Sequence, residues 1–143
     1  MSRDTSDLEK LLRDFGIDEA EVAERKAFLE LGDEDVHLLT ELHGLLAHTD
    51  IRESFLDAFY AHLQAFAGTR ALLRDTATIE RLKRAQSRYF DGLTAGAYGQ
   101  DYVRECLRVG LVHERIGLAP KWYLGAYGKY LGAYSIANHS FEK

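Results

Sequence analysis

Apolar residues recur at three- and four-residue intervals along most of the chain, a period that predicts helices rather than strands. An amphipathic stretch runs from about Asp18 to Leu31, with Val22, Phe28 and Leu29 on its apolar side. Gly32 and Asp33 then interrupt the pattern and start another predicted helix. Its apolar positions are Val36, Leu39, Leu42, Leu45 and Leu46.

Two further helices are predicted in the middle of the chain. Asp50, with Glu53 three residues later, resembles a capping box and begins a helix that we expect to reach Gly68. After a connection that contains one helical turn, Thr78 caps a helix that ends near Gly96. The apolar stripes of these two helices contain Phe55, Leu56, Phe59, Tyr60, Leu63 and Phe66, then Ile79, Leu82, Ala85, Gln86, Tyr89 and Leu93.

Two helices are predicted in the last third of the chain. The first runs from about Gln100 to Gly117, and its spacing turns His113 inward together with Val103, Cys106, Val109 and Ile116. The second begins at Pro120, which is tolerated in a first turn, and is rich in aromatic residues. We therefore predict an all-α protein.

Composition and charge restrict the functional classes. A chain of 143 residues with 46% hydrophobic and 29% charged residues fits one soluble globular domain. The net charge is −5 and the basic residues form no run, so we expect no nucleic-acid partner. A single cysteine, Cys106, and the lack of long apolar stretches favour a cytoplasmic protein without a membrane partner. Phosphate-loop, zinc-cluster and nucleophile-elbow motifs are missing, so we do not expect an enzyme.

His113 is the histidine that the pattern places on an apolar helix face, directly before the Gly117 stop. An imidazole in that position needs either a hydrogen-bond partner or a metal, and spacing alone leaves both open. Tyr60 is equally open, since a tyrosine on a helix stripe can be a core residue. The other histidines lie near polar positions or segment ends and are expected at the surface: His37, His43, His48, His62 and His139.

The stretch VHERIGLAPKWYLGAY, residues 112–127, resembles the proximal signature of globin-coupled sensors. It has the histidine, the Ile-Gly-Leu corner, the proline and the Trp-Tyr pair of that family. ERKAFLELGDEDV resembles the family's entry into its first helices, and FLDAFYAHL contains Tyr60 at the place of a distal tyrosine. The resemblance extends over residues 20 to 135. It implies a globin fold, haem b (iron protoporphyrin IX) and the sensing of a diatomic gas.

The resemblance also implies roles for single residues. His113 corresponds to the proximal iron ligand, and Tyr60 to a distal hydrogen-bond donor to dioxygen, with Leu82, Ala85 and Gln86 also beside the gas. Such a bond to a partly charged oxygen is worth roughly 1.5 to 3 kcal/mol. For the second ring nitrogen of His113, Tyr123 and a backbone carbonyl are alternative partners. The residues expected to line the haem are Phe59, Leu63, Tyr89, Val109, Val112, Ile116, Leu118, Trp122 and Tyr123.

These observations predict an N-terminal extension, residues 1–17, with an extra helix, and a globin sensor domain, residues 18–143. Family members continue into one more helix, so we expect the final helix to be truncated here. We expect a homodimer through the C-terminal helix and a signal to a C-terminal output module. Carbon monoxide and nitric oxide are further gases to consider. The alternative functions are a globin enzyme acting on nitric oxide or peroxide, and a haem-free interaction module.

Overall fold

A computed structural model describes the backbone of residues 3–141 and the side chains of residues 5–135. Within this range the chain forms eight helices and no strand, which confirms the all-α prediction. No described helix is both long and apolar enough to cross a membrane. The helices are α1 (Arg3–Asp14), α2 (Glu19–Phe28), α3 (Asp33–Leu46), α4 (Ile51–Gln64), α5 (Ala67–Arg70), α6 (Thr76–Gly92), α7 (Gln100–Arg115) and α8 (Pro120–Phe141).

Two predicted helix caps were wrong. The α6 cap is Asp75 and not Thr78, because the Asp75 carboxylate accepts a hydrogen bond of 2.7 Å from the backbone N–H of Thr78. Asp50 does precede α4, but its side chain makes no capping hydrogen bond. Glu53, expected to complete that capping box, instead lies 3.3 Å from the Arg52 guanidinium.

Several helix boundaries and one helix face also differ from the prediction. α4 ends at Gln64 and α6 at Gly92, each about one turn earlier than the pattern suggested. In α2, Val22 is buried as expected, whereas the side chain of Phe28 is 87% exposed. The physical reason is that the helix ends at Phe28, so that this residue and Leu29 lie beyond the turn that packs against the protein.

The main core is formed by helices α3, α4, α6 and α8. Its centre is aromatic: the Tyr130 ring of α8 lies 4.7 Å from the Phe55 ring and 6.0 Å from the Phe90 ring, measured between centroids. Aromatic rings at these separations attract each other beyond the burial of their surface. The buried members are Leu46, Phe55, Leu56, Phe59, Tyr60, Phe90, Tyr130 and Ala133.

A second core, the N-terminal core, is separate from the first. It consists of Leu8 and Leu12 of α1, Ile17 and Val22. One face of α7 packs on it through Val103, Leu107 and Leu111, at the four-residue spacing of neighbouring helical turns. The helix that contains His113 therefore packs against the N-terminal segment, a contact that the sequence pattern did not reveal.

Candidate functional site

The end of α7 determines where His113 lies. The N–H of Leu118 donates to the carbonyl of His113 at 2.9 Å, and the N–H of Gly117 donates to the carbonyl of Glu114 at 3.0 Å. This pair of bonds is a Schellman motif, which requires a residue with positive φ after the helix. Gly117 meets that requirement with φ of 68°. The imidazole is thus in the last turn of α7, held by the backbone of the corner that follows it.

Replacing Gly117 with alanine tests this corner. A Cβ atom at Gly117 would have no heavy atom within 4 Å, so the substitution adds backbone strain without a side-chain clash. We expect the free energy of unfolding to fall by about 1 to 2 kcal/mol, the cost of a left-handed conformation for an L-residue. Thermal unfolding measures the loss, with Gly110→Ala as the control, since Gly110 lies inside α7 and its added Cβ also has open space.

The imidazole of His113 is half-buried and stacks on the ring of Tyr123 from α8, with 5.2 Å between centroids and 16° between planes. Burial lowers the pKa of His113, so the neutral form that can bind a metal is favoured. No hydrogen bond joins its ring to another described residue. Tyr123 therefore contacts His113 as a stacked ring, and the hydrogen bond proposed between them is not formed here.

Tyr60 lies on α4 and belongs to the main core. The residue is 5% exposed, and burial raises the pKa of its phenol to about 12. Its hydroxyl therefore keeps its proton at neutral pH and can only act as a neutral donor or acceptor. No described residue forms a hydrogen bond with this hydroxyl. The hydroxyl can therefore donate to a polar ligand that reaches it.

Tyr130 of α8, which the sequence analysis did not select, contacts the candidate site residue Gln86. It is 3% exposed, and its hydroxyl accepts a hydrogen bond from the Gln86 side-chain amide. Its phenol also interacts electrostatically with that of Tyr60, which helps to raise the pKa of Tyr130. Gln86 is therefore already bonded within the protein, whereas Tyr60 is not. The spacing of Tyr123, Tyr127, Tyr130 and Tyr134 was the available signal, but it did not distinguish a core residue from a site residue.

More tyrosine hydroxyls lie between α6, α7 and α8. Those of Tyr89 and Tyr127 are 2.8 Å apart. Tyr102 and Cys106 lie one turn apart on α7, and burial raises the pKa of both groups. The interior between α6 and α8 therefore contains neutral polar groups as well as apolar ones.

The structure brings some of the remaining predicted site residues together and separates others. Phe59 is buried in the main core, and Leu63, Leu82 and Tyr89 pack against that core. Ala85 is exposed. On the proximal side Val109 and Leu118 are half-buried, while Val112 is 47% and Ile116 46% exposed.

Trp122 is held by α5 at the beginning of α8. Its ring lies 5.8 Å from the Phe66 ring, and a Cβ at Gly68 would come within 2.9 Å of it. Gly68 is therefore the residue that admits the indole at this position. The ring of Trp122 is half-buried, with the Lys121 ammonium 4.8 Å from its centroid.

The other histidines were expected at the surface. His37, His48 and His62 are exposed, as predicted, and the side chain of His139 lies outside the described residues. His43 differs, because it is half-buried and its Nδ1 lies 3.0 Å from the hydroxyl of Thr94. Among the described histidines, His113 thus combines partial burial with a ring that has no hydrogen-bond partner.

Two comparisons with known proteins agree with this geometry. The sequence profile of the family described as Protoglobin matches residues 18–135. The chain is also similar to the heme-based aerotactic transducer HemAT of Halobacterium salinarum, with 36% identity over 116 residues. This alignment covers 80% of the chain and 23% of that protein, so the chain spans less than a quarter of its relative. The matches confirm the resemblance to sensor globins and, with the eight helices, the globin fold.

Proposed function

Because the chain belongs to the protoglobin family, we propose that it is a haem-based gas sensor domain that binds dioxygen reversibly. In this proposal residues of α6 and α7 would hold haem b, with His113 as its proximal ligand. Tyr60 is the distal donor, and Leu82 keeps the distal side apolar. Haem supplies an iron atom that takes a neutral imidazole on one face and a diatomic gas on the other.

One observation carries the proposal: the family pattern pairs the half-buried imidazole of His113 with the buried ring of Tyr60, and neither ring forms a hydrogen bond with a described residue. His113 presents a neutral imidazole, the form that iron binds. Tyr60 presents a protonated hydroxyl in an apolar wall. Neither group is engaged within the described protein, so the imidazole can bind an iron atom and the hydroxyl can donate to a polar gas.

The apolar residues near His113 also fit a haem. Val112, Ile116 and Leu118 occupy the end of α7 and the corner after it, and two of these three are nearly half exposed. The porphyrin face is flat and apolar, so covering such side chains would stabilise the complex by about 25 cal/mol per Å² of apolar surface. The ring of Tyr123, stacked on the imidazole, restricts rotation of His113 and so orients it towards the iron.

Tyr60 provides the preference for dioxygen. The Tyr60 phenol would donate a charge-assisted hydrogen bond to a gas ligand that gains partial negative charge, as dioxygen would. Carbon monoxide is less polar in the same position and gains less from that donor. Gln86 has at most a secondary role in binding the gas, because its side-chain amide already donates to the Tyr130 hydroxyl. Nitric oxide would meet the same donor.

The signal is proposed to leave through α8 to an output module in the C-terminal direction, as expected for an aerotactic transducer. Leu124 and Leu131 lie one heptad apart on α8 and are 62% and 67% exposed, which supports a homodimer through this helix. A cytoplasmic location belongs to the same proposal. In this scheme the chain itself senses the gas and performs no catalysis.

Absorption spectra of the ferric, ferrous and dioxygen-exposed protein test the proposed function. We expect an intense Soret band and a reversible spectral change when dioxygen is added to the ferrous protein and then removed. Rapid steady-state turnover of nitric oxide or peroxide would favour the enzymatic alternative. A protein that takes up no haem from an excess would contradict the proposal and favour the interaction module.

A further inference from the structure

The three helices that contain the proposed haem contacts pack in two different cores. Tyr60 and Leu82 are anchored in the main core, through α4 and α6. α7 contributes no residue to the main core, and none of its side chains is buried. Its described apolar packing is with the N-terminal core, through Val103, Leu107 and Leu111. The position of His113 therefore depends on the residues that pack against the Val103, Leu107 and Leu111 face of α7.

Helix α1 packs against this face of α7 with apolar residues. Leu8 is 3% and Leu12 6% exposed, although both lie in a short terminal helix with many charged residues. The α7 residues packed against the N-terminal core, Val103, Leu107 and Leu111, lie about 80° to 160° around the helix from His113, at 3.6 residues per turn. One face of α7 is thus occupied by α1, while another presents the imidazole.

Ion pairs fasten the same two helices near both ends of the contact. Arg115, two residues after His113, lies 2.8 Å from the Asp7 carboxylate. Arg104, in the second turn of α7, pairs with Glu9. At the start of α7 the side-chain amide of Gln100 donates to the carbonyl of Ile17 at 3.3 Å. These contacts determine both the distance of α7 from α1 and its register along it.

We propose that α1 is a positioning element for the proximal histidine, with Asp7 and Glu9 as positioning residues that act through Arg115 and Arg104. The inference rests on the proposed function, in that it assigns His113 to the iron. The N-terminal helix and α7 form one packed unit, which meets the unit of α4 and α6 at the haem. Any displacement of α1 is transmitted to the iron ligand through α7.

The test uses the full chain with the double substitution Asp7→Asn and Glu9→Gln. Its matched control is Asp14→Asn with Glu21→Gln, which also removes one aspartate and one glutamate. The control carboxylates pair with Lys10 and Arg25 of their own helices, at 2.7 and 2.8 Å, and not with α7. Both variants thus have the same net charge, but only the test variant loses the ion pairs between α1 and α7.

Two measurements report on α7. The first is amide hydrogen exchange of the haem-free protein, with α4 and α6 as internal references. In the test variant we expect α7 amides to exchange about three- to thirty-fold faster, from the loss of two partly exposed ion pairs. Leu8→Ala should accelerate this exchange by at least about thirty-fold, because it creates a cavity between α1 and α7. The second is the iron–histidine stretching frequency of the ferrous haem protein, which we expect to shift in the test variant.

The outcomes are distinct. If α7 exchange or the iron–histidine frequency of the test variant equals that of the wild type and the control, the positioning role of α1 is wrong. A charge swap, with Glu9→Arg and Arg104→Glu together, keeps the ion pair with its charges exchanged. This variant should show the α7 exchange rates and the iron–histidine frequency of the wild type. If the wild-type protein takes up no haem, the proposed function fails, and the exchange measurement alone then decides whether α1 supports α7.

Discussion

His113→Ala should abolish stable haem binding and with it the Soret band of the purified protein. Loss of a residue that only supports a metal ligand already costs about 10- to 100-fold in affinity, so removing the ligand itself should exceed about 100-fold. The imidazole has no hydrogen bond to lose, and its ring contact is the stacked Tyr123. The variant should therefore keep its fold, as measured by far-ultraviolet circular dichroism.

The control for this prediction is His48→Ala, which removes an exposed imidazole outside the α7–α8 region. It should leave the Soret band unchanged. Adding free imidazole to His113→Gly should restore part of the band, because a small ligand can replace the missing ring. A His113→Ala protein that retained haem with unaltered iron coordination would refute the assignment of the proximal ligand.

Tyr60→Phe should accelerate dioxygen release by about ten- to a hundredfold, which corresponds to a charge-assisted hydrogen bond of 1.5 to 3 kcal/mol. Carbon monoxide release should change much less. The haem-free variant should be about as stable as the wild type, because the substitution removes a hydroxyl that forms no hydrogen bond with a described residue. Stopped-flow displacement measures both release rates, and thermal unfolding measures the stability.

Tyr134→Phe is the matched control for Tyr60→Phe. Its hydroxyl also belongs to the aromatic part of the main core, but it donates to the carbonyl of Phe90 at 3.0 Å. Losing that bond should lower stability by about 1 kcal/mol and leave the ratio of the two gas release rates unchanged. Equal acceleration of dioxygen and carbon monoxide release in Tyr60→Phe would mean that Tyr60 acts through its shape and not through a hydrogen bond.

Helical periodicity determined the fold class of this protein. Apolar residues that recur with a period near 3.6 form one face of an amphipathic helix, which can bury that face away from water. This pattern located α3, α4, α6 and α7. The end of α7 at Gly117 was also predictable from local sequence, because glycine readily adopts the positive φ that terminates a helix. His113 and Tyr60 were selected because a long motif accompanied them. Their roles at the iron stay a proposal.

The tertiary structure decided which faces meet, since a periodic pattern shows that a face is apolar but not what covers it. The charged opening segment contains Leu8 and Leu12, yet only the folded chain shows that they support α7. In the sequence Tyr130 is one of four tyrosines on α8, and only the packing shows that it contacts Gln86 and lies near Tyr60. Contacts between residues distant in the chain depend on the summed packing of all helices, which local propensity does not contain. The sequence thus determined most of the helices and selected His113 and Tyr60 as candidates. The packing decided that Tyr60 belongs to the main core, while the helix of His113 packs against the N-terminal core.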